Sequence, residues 1–317
     1  MNVLQHLATV LADLLRADER RVVLGEDVVD GTMLGLTRVA ADDPELAPRL
    51  LATPLCPTVL PAHAAGMAAE GLRPIVICPE ASSLVDSLAA LRESAKLGWR
   101  HEIPAPVVFL APFGPGFGLG GGGTEGPASI LSRVPGLRVV VLGEASESGA
   151  TLRAAVEGWA GDEPTVLLIP RSLALAPAGE CVDALARPFA SPRRVRDGEA
   201  ATVFTWGACL PLVQAAVDRS GQDARIIDVE CLAPLDRDAL TAEAKATGKI
   251  VIAHEGPRHC GVGSELAALF ADHAILTLDA PVLRVTGDDG PLTASAEARA
   301  LPDLETLSTA ITHVATF

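Results

Sequence analysis

The chain has 317 residues, 49% of them hydrophobic and 21% charged, a globular balance with enough apolar mass for two domains or one large one. Its formal net charge of -15 excludes nucleic acid and anionic membrane surfaces as partners, because both require a basic footprint. Three Trp, seven Phe and no Tyr leave little from which to build a stacking platform for bases.

The N-terminus shows no basic region followed by an apolar core and a cleavage site, and no apolar run approaches the ~18–20 residues that span a bilayer. A cytoplasmic location is expected. The cysteines, Cys56, Cys78, Cys181, Cys209, Cys231 and Cys260, form no Cys-x-x-Cys pair and mostly sit in apolar runs. Buried free thiols are expected from that spacing.

Val3 to Arg16 reads as an amphipathic helix, with Val3, Leu4, Leu7, Val10, Leu11, Leu14 and Leu15 on one face. Arg21 to Val28 reads as a buried strand ending in an acidic loop. Glu26 and Asp27 there fit either a solvated turn or the edge of a pocket, since strand ends in open α/β sheets face the ligand crevice. Gly31 to Arg49 reads as loop and short helix. Ala52 to Pro74 opens with a Pro-containing turn and continues as a helix of small residues, Ala62, Ala64, Ala65, Gly66, Ala68 and Ala69. Gly71 and Pro74 stop it. On composition alone it is a buried packing helix.

Ile75 to Cys78 is a short apolar strand. Glu80-Ala81-Ser82-Ser83 leads into a helix reaching about Trp99, with a Ser N-cap as the plain reading of the serines. Val107 to Leu110 is a strand. The glycine-rich run Pro112 to Pro127 follows. It lacks the Gly-Lys-Ser/Thr of a phosphate loop, and no strand–helix context with a ribose-binding acid supports a dinucleotide fingerprint. Thr124 and Glu125 fit a flexible solvated loop or a ligand contact. A strand at Leu137–Leu142, a helix at Glu147–Trp159 and a strand at Pro164–Ile169 complete the first half. Ala174 to Glu199 reads as a linker, with Arg193, Arg194 and Arg196 on a solvated face or against an acidic partner.

The second half repeats the alternation. Strands fall near 201–207, 225–229, 249–253 and 282–287, and helices near 210–219, 236–246, from after Glu265 to His273, and 304–314. Near-continuous apolar strands between helices mean mostly parallel sheets covered on both faces. His254 and His259 lack the i, i+4 helical context of a zinc site, because Gly and Pro lie between them, and no metal is expected from them.

Leu24-Gly25-Glu26-Asp27-Val28, Thr53-Pro54-Leu55, Gly66-Met67-Ala68, Gly71-Leu72-Arg73-Pro74 and the run His254 to Glu265 together resemble the beta subunit of the decarboxylase component of 2-oxo acid dehydrogenases (the pyruvate and branched-chain type), within the transketolase superfamily. The resemblance extends from residue 3 to about 314. It implies an α/β fold of two three-layer domains with mostly parallel sheets: a transketolase-like pyrimidine-binding domain over 1–173, a linker over 174–199 and a transketolase C-terminal-like domain over 200–317. It also implies a homodimer of this chain flanked by alpha-like subunits, a heterotetramer, and allows a lipoyl or acyl carrier protein as a further partner.

The resemblance fails where its chemistry would sit. The family Glu that activates thiamine diphosphate falls at Pro57, and its leading Asp at Ala52. The family His of the glycine-rich loop falls at Gly123, followed by Thr124 and Glu125. Positions where the family packs aromatics on the pyrimidine ring hold Glu80, Ser82, Ser83 and Val85, and Pro-Tyr-Pro is replaced by Asp289-Gly290-Pro291-Leu292. The candidate pocket is therefore Glu26, Leu55, Pro57, Glu80, Ser83, Gly123, Thr124 and Glu125, with no catalytic residue assigned. Thiamine diphosphate and magnesium are expected only at an interface with an alpha-like chain, or not at all, because the family's Gly-Asp-Gly diphosphate motif belongs to that partner. Three readings follow: a divergent thiamine diphosphate enzyme in which the partner or Glu26, Glu80 or Glu125 compensates; a non-catalytic scaffold subunit, a pseudoenzyme; and an enzyme reusing the pocket for another acyl or keto ligand, for which no nucleophile–base pair is present.

Overall fold

Strands without polar alternation must be covered on both faces, and this requirement organises the chain. In the computed structural model, which describes residues 1–32, 34–158 and 161–317, two compact units form. The first comprises Met1–Phe113 and Ile130–Phe189. The second comprises Gly114–Ser129 and Ala190–Phe317.

The first unit holds β1 (Arg21–Gly25), β2 (Leu50–Ala52), β3 (Arg73–Ile77), β4 (Val108–Phe113), β5 (Arg138–Val141) and β6 (Thr165–Pro170). They lie in the order β5-β6-β4-β3-β1-β2, every pair parallel. Every residue of β1, β4, β5 and β6 is buried. Helix α1 (Val3–Ala17) is started by a capping box, in which Asn2 accepts from the Gln5 amide and Gln5 accepts from the Asn2 amide. Its apolar face is buried as the 3.6-residue period requires. Helix α2 (Leu60–Ala69) is the small-residue helix, and it ends where expected. Gly71 has φ +92°, and the Gly71 and Leu72 amides return to the Ala68 and Met67 carbonyls.

One expected helix is two. Ser83–Asp86 (α3) and Leu88–His101 (α4) are separated at Ser87. The reason is local competition for hydrogen bonds. The Ser87 hydroxyl donates to the Ser83 carbonyl at 2.8 Å and also lies 2.5 Å from the Pro57 carbonyl. The Ser N-cap is likewise not formed: Ser82 makes no side-chain cap, and Ser83 Oγ donates to the Glu80 carbonyl at 2.7 Å. Helix α5 covers Ser148–Val156, and its expected end at Trp159 lies outside the described residues, as does Met33.

The second unit holds β7 (Arg193–Arg196), β8 (Ala201–Thr205), β9 (Ala224–Asp228), the short β10 (Cys231–Ala233), β11 (Ile250–His254) and β12 (Leu283–Thr286). Its sheet order is β12-β11-β8-β9-β7, parallel except for β7 against β9. Helices α6 (Cys209–Ser220), α7 (Arg237–Thr247), α8 (Val262–Ala274) and α9 (Leu304–Ala315) accompany it, and α6 and α9 close one core with Val203, Ile226, Val251 and Val285. The three arginines of β7 meet acids of this same chain. Arg193 pairs with Asp228 at 3.1 Å, Arg194 with Glu243 at 2.6 Å and Arg196 with Asp218 at 2.5 Å. Among the described residues no helix is long and apolar enough to cross a membrane.

Not all thiols are buried. Cys78, Cys209 and Cys231 are, but Cys56 and Cys260 are exposed. Cys56 belongs to the Pro54–Pro57 turn, and Cys260 has φ +52° in the turn before α8. Turn backbone belongs at the surface, where water satisfies its polar groups.

Gly198 is fixed by contact. A Cβ there would lie 2.5 Å from the Ala224 carbonyl carbon and 2.6 Å from the Arg225 nitrogen. Backbone cannot rotate away as a side chain can, so Gly198→Ala is expected to destabilise the protein by ~1–3 kcal/mol, read from its urea unfolding midpoint.

Candidate active site

The carboxyl ends of β1, β2 and β3 bring four of the predicted residues together. Glu26 follows β1, Leu55 and Pro57 follow β2, and Ser83 opens α3; all four line one cavity with Cys78 and Phe109. The cavity is ≈ 20 Å³, water-sized rather than ligand-sized. The adjoining cavity is ≈ 300 Å³. It shares Glu26, Ile77, Cys78 and Pro79 with the first and adds the polar side chains of Asp27 and Thr32.

Glu26 is the acid common to both cavities. Glu80 reaches the site through its backbone, its carbonyl accepting from Ser83, and lines neither cavity. Gly123, Thr124 and Glu125 fall in the segment Gly114–Ser129, which groups with the second unit. Gly123 and Thr124 are buried there, and the Thr124 carbonyl accepts from the Gly114 amide at 3.2 Å.

Sequence reading missed Ser87, whose hydroxyl holds the Pro57 carbonyl from the start of α4. No local signal marks it, because the stretch also carries Asp86, Arg92, Glu93, Ser94 and Lys96 and the partner carbonyl lies thirty residues earlier. It also missed Cys78 as a lining residue. Burial pushes the Cys78 thiol up to about 12, against a smaller opposing effect of its hydrogen bond with Ser83. Alkylation with iodoacetamide at pH 8 is expected to label Cys56 and Cys260 and to spare Cys78 until the protein is unfolded, as peptide mass mapping would show.

In the second unit the run from His254 is a packing device. The His254 ring stacks on Trp206 at 4.9 Å between centroids and 10° between planes. Its Nδ1 donates to the Glu255 carbonyl at 2.8 Å, and its Nε2 is buried without a hydrogen-bond partner among the described residues. The glycines after it are required: a Cβ on Gly263 would come within 2.6 Å of His254 Nε2. Asp289 accepts from the Arg258 and His259 amides at 2.6 and 3.1 Å. Among the described residues no group of three or more His, Cys, Asp or Glu could hold a metal ion.

Burial lowers the pKa of His254, and the charges of Arg284 and Arg258 lower it further, against the Glu255 carbonyl. The folded protein therefore favours neutral imidazole. Its contribution to stability is complete above the ordinary value of 6.5 and is lost as pH falls through the lower folded value. His254→Gln is expected to flatten the fall in urea midpoint below pH 6.5, whatever it does to stability at neutral pH.

Comparison with known proteins agrees with this architecture. The family model "Transketolase, pyrimidine binding domain" matches residues 1–175, and "Transketolase, C-terminal domain" matches residues 191–307. A solved split-gene transketolase, described as an inactive beta4 tetramer, superposes with a TM-score of 0.79 at 19% identity, over 100% of this chain and 98% of that one. The fold is thus that of transketolase-type proteins. The 2-oxoisovalerate dehydrogenase subunit beta of Pseudomonas aeruginosa is 32% identical, covering 92% of this chain and 88% of its own. The pyruvate dehydrogenase E1 component subunit beta of Leifsonia xyli is also 32% identical, over 93% and 89%. The chain belongs to the family of 2-oxo acid dehydrogenase beta subunits.

Proposed function

We propose that this chain is a beta-type subunit of a 2-oxo acid dehydrogenase-like assembly, working with an alpha-like partner in a heterotetramer, in which the usual acid–base centre has been given up. The carrying observation is Pro57 at the family's Glu position, with its carbonyl held by Ser87, beside a water-sized cavity. Activation of thiamine diphosphate needs a carboxylic acid beside the pyrimidine ring, general acid–base work worth roughly 10²–10⁴-fold. Proline has neither an acid nor an N–H to offer. Pro57 itself does not fit the acid–base task at that position. The reading is a scaffold subunit, a pseudoenzyme in its own half of the site, that retains the fold by which such subunits assemble.

Glu26 supports a second reading. It is the acid that lines the same cavity as Pro57, and it would be the replacement acid if chemistry is kept. The neighbouring split-gene transketolase chain, described as an inactive tetramer of beta chains, gives a reference for what such a subunit does alone.

Native mass spectrometry of the complex purified from its own cells separates the two. The scaffold reading expects a heterotetramer free of thiamine diphosphate, whose activities are unchanged in Glu26→Gln. Stoichiometric cofactor, with 2-oxo acid decarboxylation falling 10²-fold or more in Glu26→Gln while assembly persists, would overturn it in favour of the second.

A further inference from the structure

The glycine-rich segment that matched no nucleotide motif has an occupant. Gly114, Gly116, Gly118 and Gly120 all take positive φ, at +85°, +136°, +66° and +72°. Residues alternating with such glycines can turn successive backbone N–H groups toward one side, a concave arrangement that attracts anions. What sits there is the carboxylate of Glu297, which is 181 residues from Gly116 and belongs to the 3-10 helix Ala294–Ala300. The Gly116 amide donates to Oε1 at 3.0 Å and the Gly118 amide to Oε2 at 2.8 Å. The Thr124 hydroxyl lies 3.5 Å from Oε2.

Each oxygen therefore has its own amide, the planar fork that a carboxylate fills. The surroundings are built to admit it. A Cβ on Gly120 would lie 3.1 Å from the Ala294 nitrogen, and one on Gly121 would lie 3.3 Å from the Leu292 carbonyl oxygen. The glycines let the loop backbone close against the segment that carries Glu297. The loop from Pro112 to Pro127 contains no Lys or Arg. The one arginine near Glu297 in sequence, Arg299, pairs with Asp288. In a chain of net charge -15, a glutamate is thus seated on backbone dipoles rather than on a basic side chain.

We propose that the loop around Gly116 and Gly118 is a carboxylate-binding site whose resident ligand is the chain's own Glu297. Small carboxylates compete for the same two amides, and Glu297 latches the loop when none is bound. Leaving the latch frees the backbone that leads directly into Gly123, Thr124 and Glu125. The inference concerns only the second unit and is independent of whether the first unit holds a cofactor.

The test uses the full chain labelled with ¹⁵N-glycine, the two amides being identified through carbonyl-labelled Pro115 and Phe117 before them. In Glu297→Ala, sodium acetate is expected to shift the Gly116 and Gly118 signals saturably, against sodium chloride at matched ionic strength, and to need on the order of tenfold more acetate or greater in the unsubstituted protein, where the tethered Glu297 competes for the same amides. Without acetate, hydrogen exchange at both amides is expected to quicken about tenfold in Glu297→Ala, the scale of one charge-assisted hydrogen bond at a partly exposed site. Glu297→Gln keeps shape without charge and is expected to show a smaller acceleration and weaker acetate binding than Glu297→Ala, so the site remains testable if the alanine variant folds poorly. Equal exchange in all three proteins, or acetate midpoints that are the same with and without Glu297, would overturn the assignment.

Discussion

The constraint on which the structure depends is that its parallel strands are covered on both faces. Every residue of β1, β4, β5 and β6 is buried, as is every residue of β8 and β11. Strands of that kind offer chemistry almost no side chain along their length. They must deliver it at their ends, where the chain turns outward. Glu26 after β1, Leu55 and Pro57 after β2, and Cys78 after β3 are grouped for this reason and not because they are near in sequence. The fold can accordingly tolerate changes at the turn positions Glu26, Leu55 and Pro57, since the buried strands beneath them do not depend on those side chains.

Pro57 shows how such a turn accommodates its residue. A proline in a helix interior would cost ~3 kcal/mol or more, but Pro57 stands in the turn ahead of α2, where its fixed φ and missing N–H are tolerated. Its remaining polar group, the carbonyl, is taken by Ser87. Ser87 in turn breaks what would otherwise be one helix into α3 and α4. The turn around Pro57 thus satisfies the proline's carbonyl from a neighbouring helix start, with the ≈ 300 Å³ cavity lying on the far side of Glu26 and Cys78.

What was legible in the sequence follows the same division. Strand positions, the amphipathic α1, the Gly71 stop and the two-part fold all rest on periodicity and stop signals that lie within about one turn or strand of each other. Glu26, Leu55, Pro57 and Ser83 could be grouped because a resemblance located them. Ser87 could not, since nothing local says that a serine hydroxyl will reach a carbonyl thirty residues back. Cys56 was misjudged because its apolar neighbours suggested burial, while the prolines on either side hold it in an exposed turn. Glu297 was the least legible. Its partners are amide groups that every residue except proline possesses, so no pattern of side-chain types marks them.

The glycine loop and the His254 run illustrate two opposite uses of the same residue. Gly261 and Gly263 are needed for what they leave out, because the buried imidazole occupies the space in which a side chain would stand. That use is purely steric and stabilises one fixed packing against Trp206. Gly116 and Gly118 are needed for what they expose, two backbone amides aimed at one carboxylate. Ordering a glycine-rich loop costs more conformational entropy than ordering any other sequence of that length. A loop so composed stays in one conformation only while something rewards it, and here the carboxylate of Glu297 supplies charge-assisted hydrogen bonds to do so. Glycine in this protein therefore locks one turn by close packing, and leaves the other dependent on its ligand.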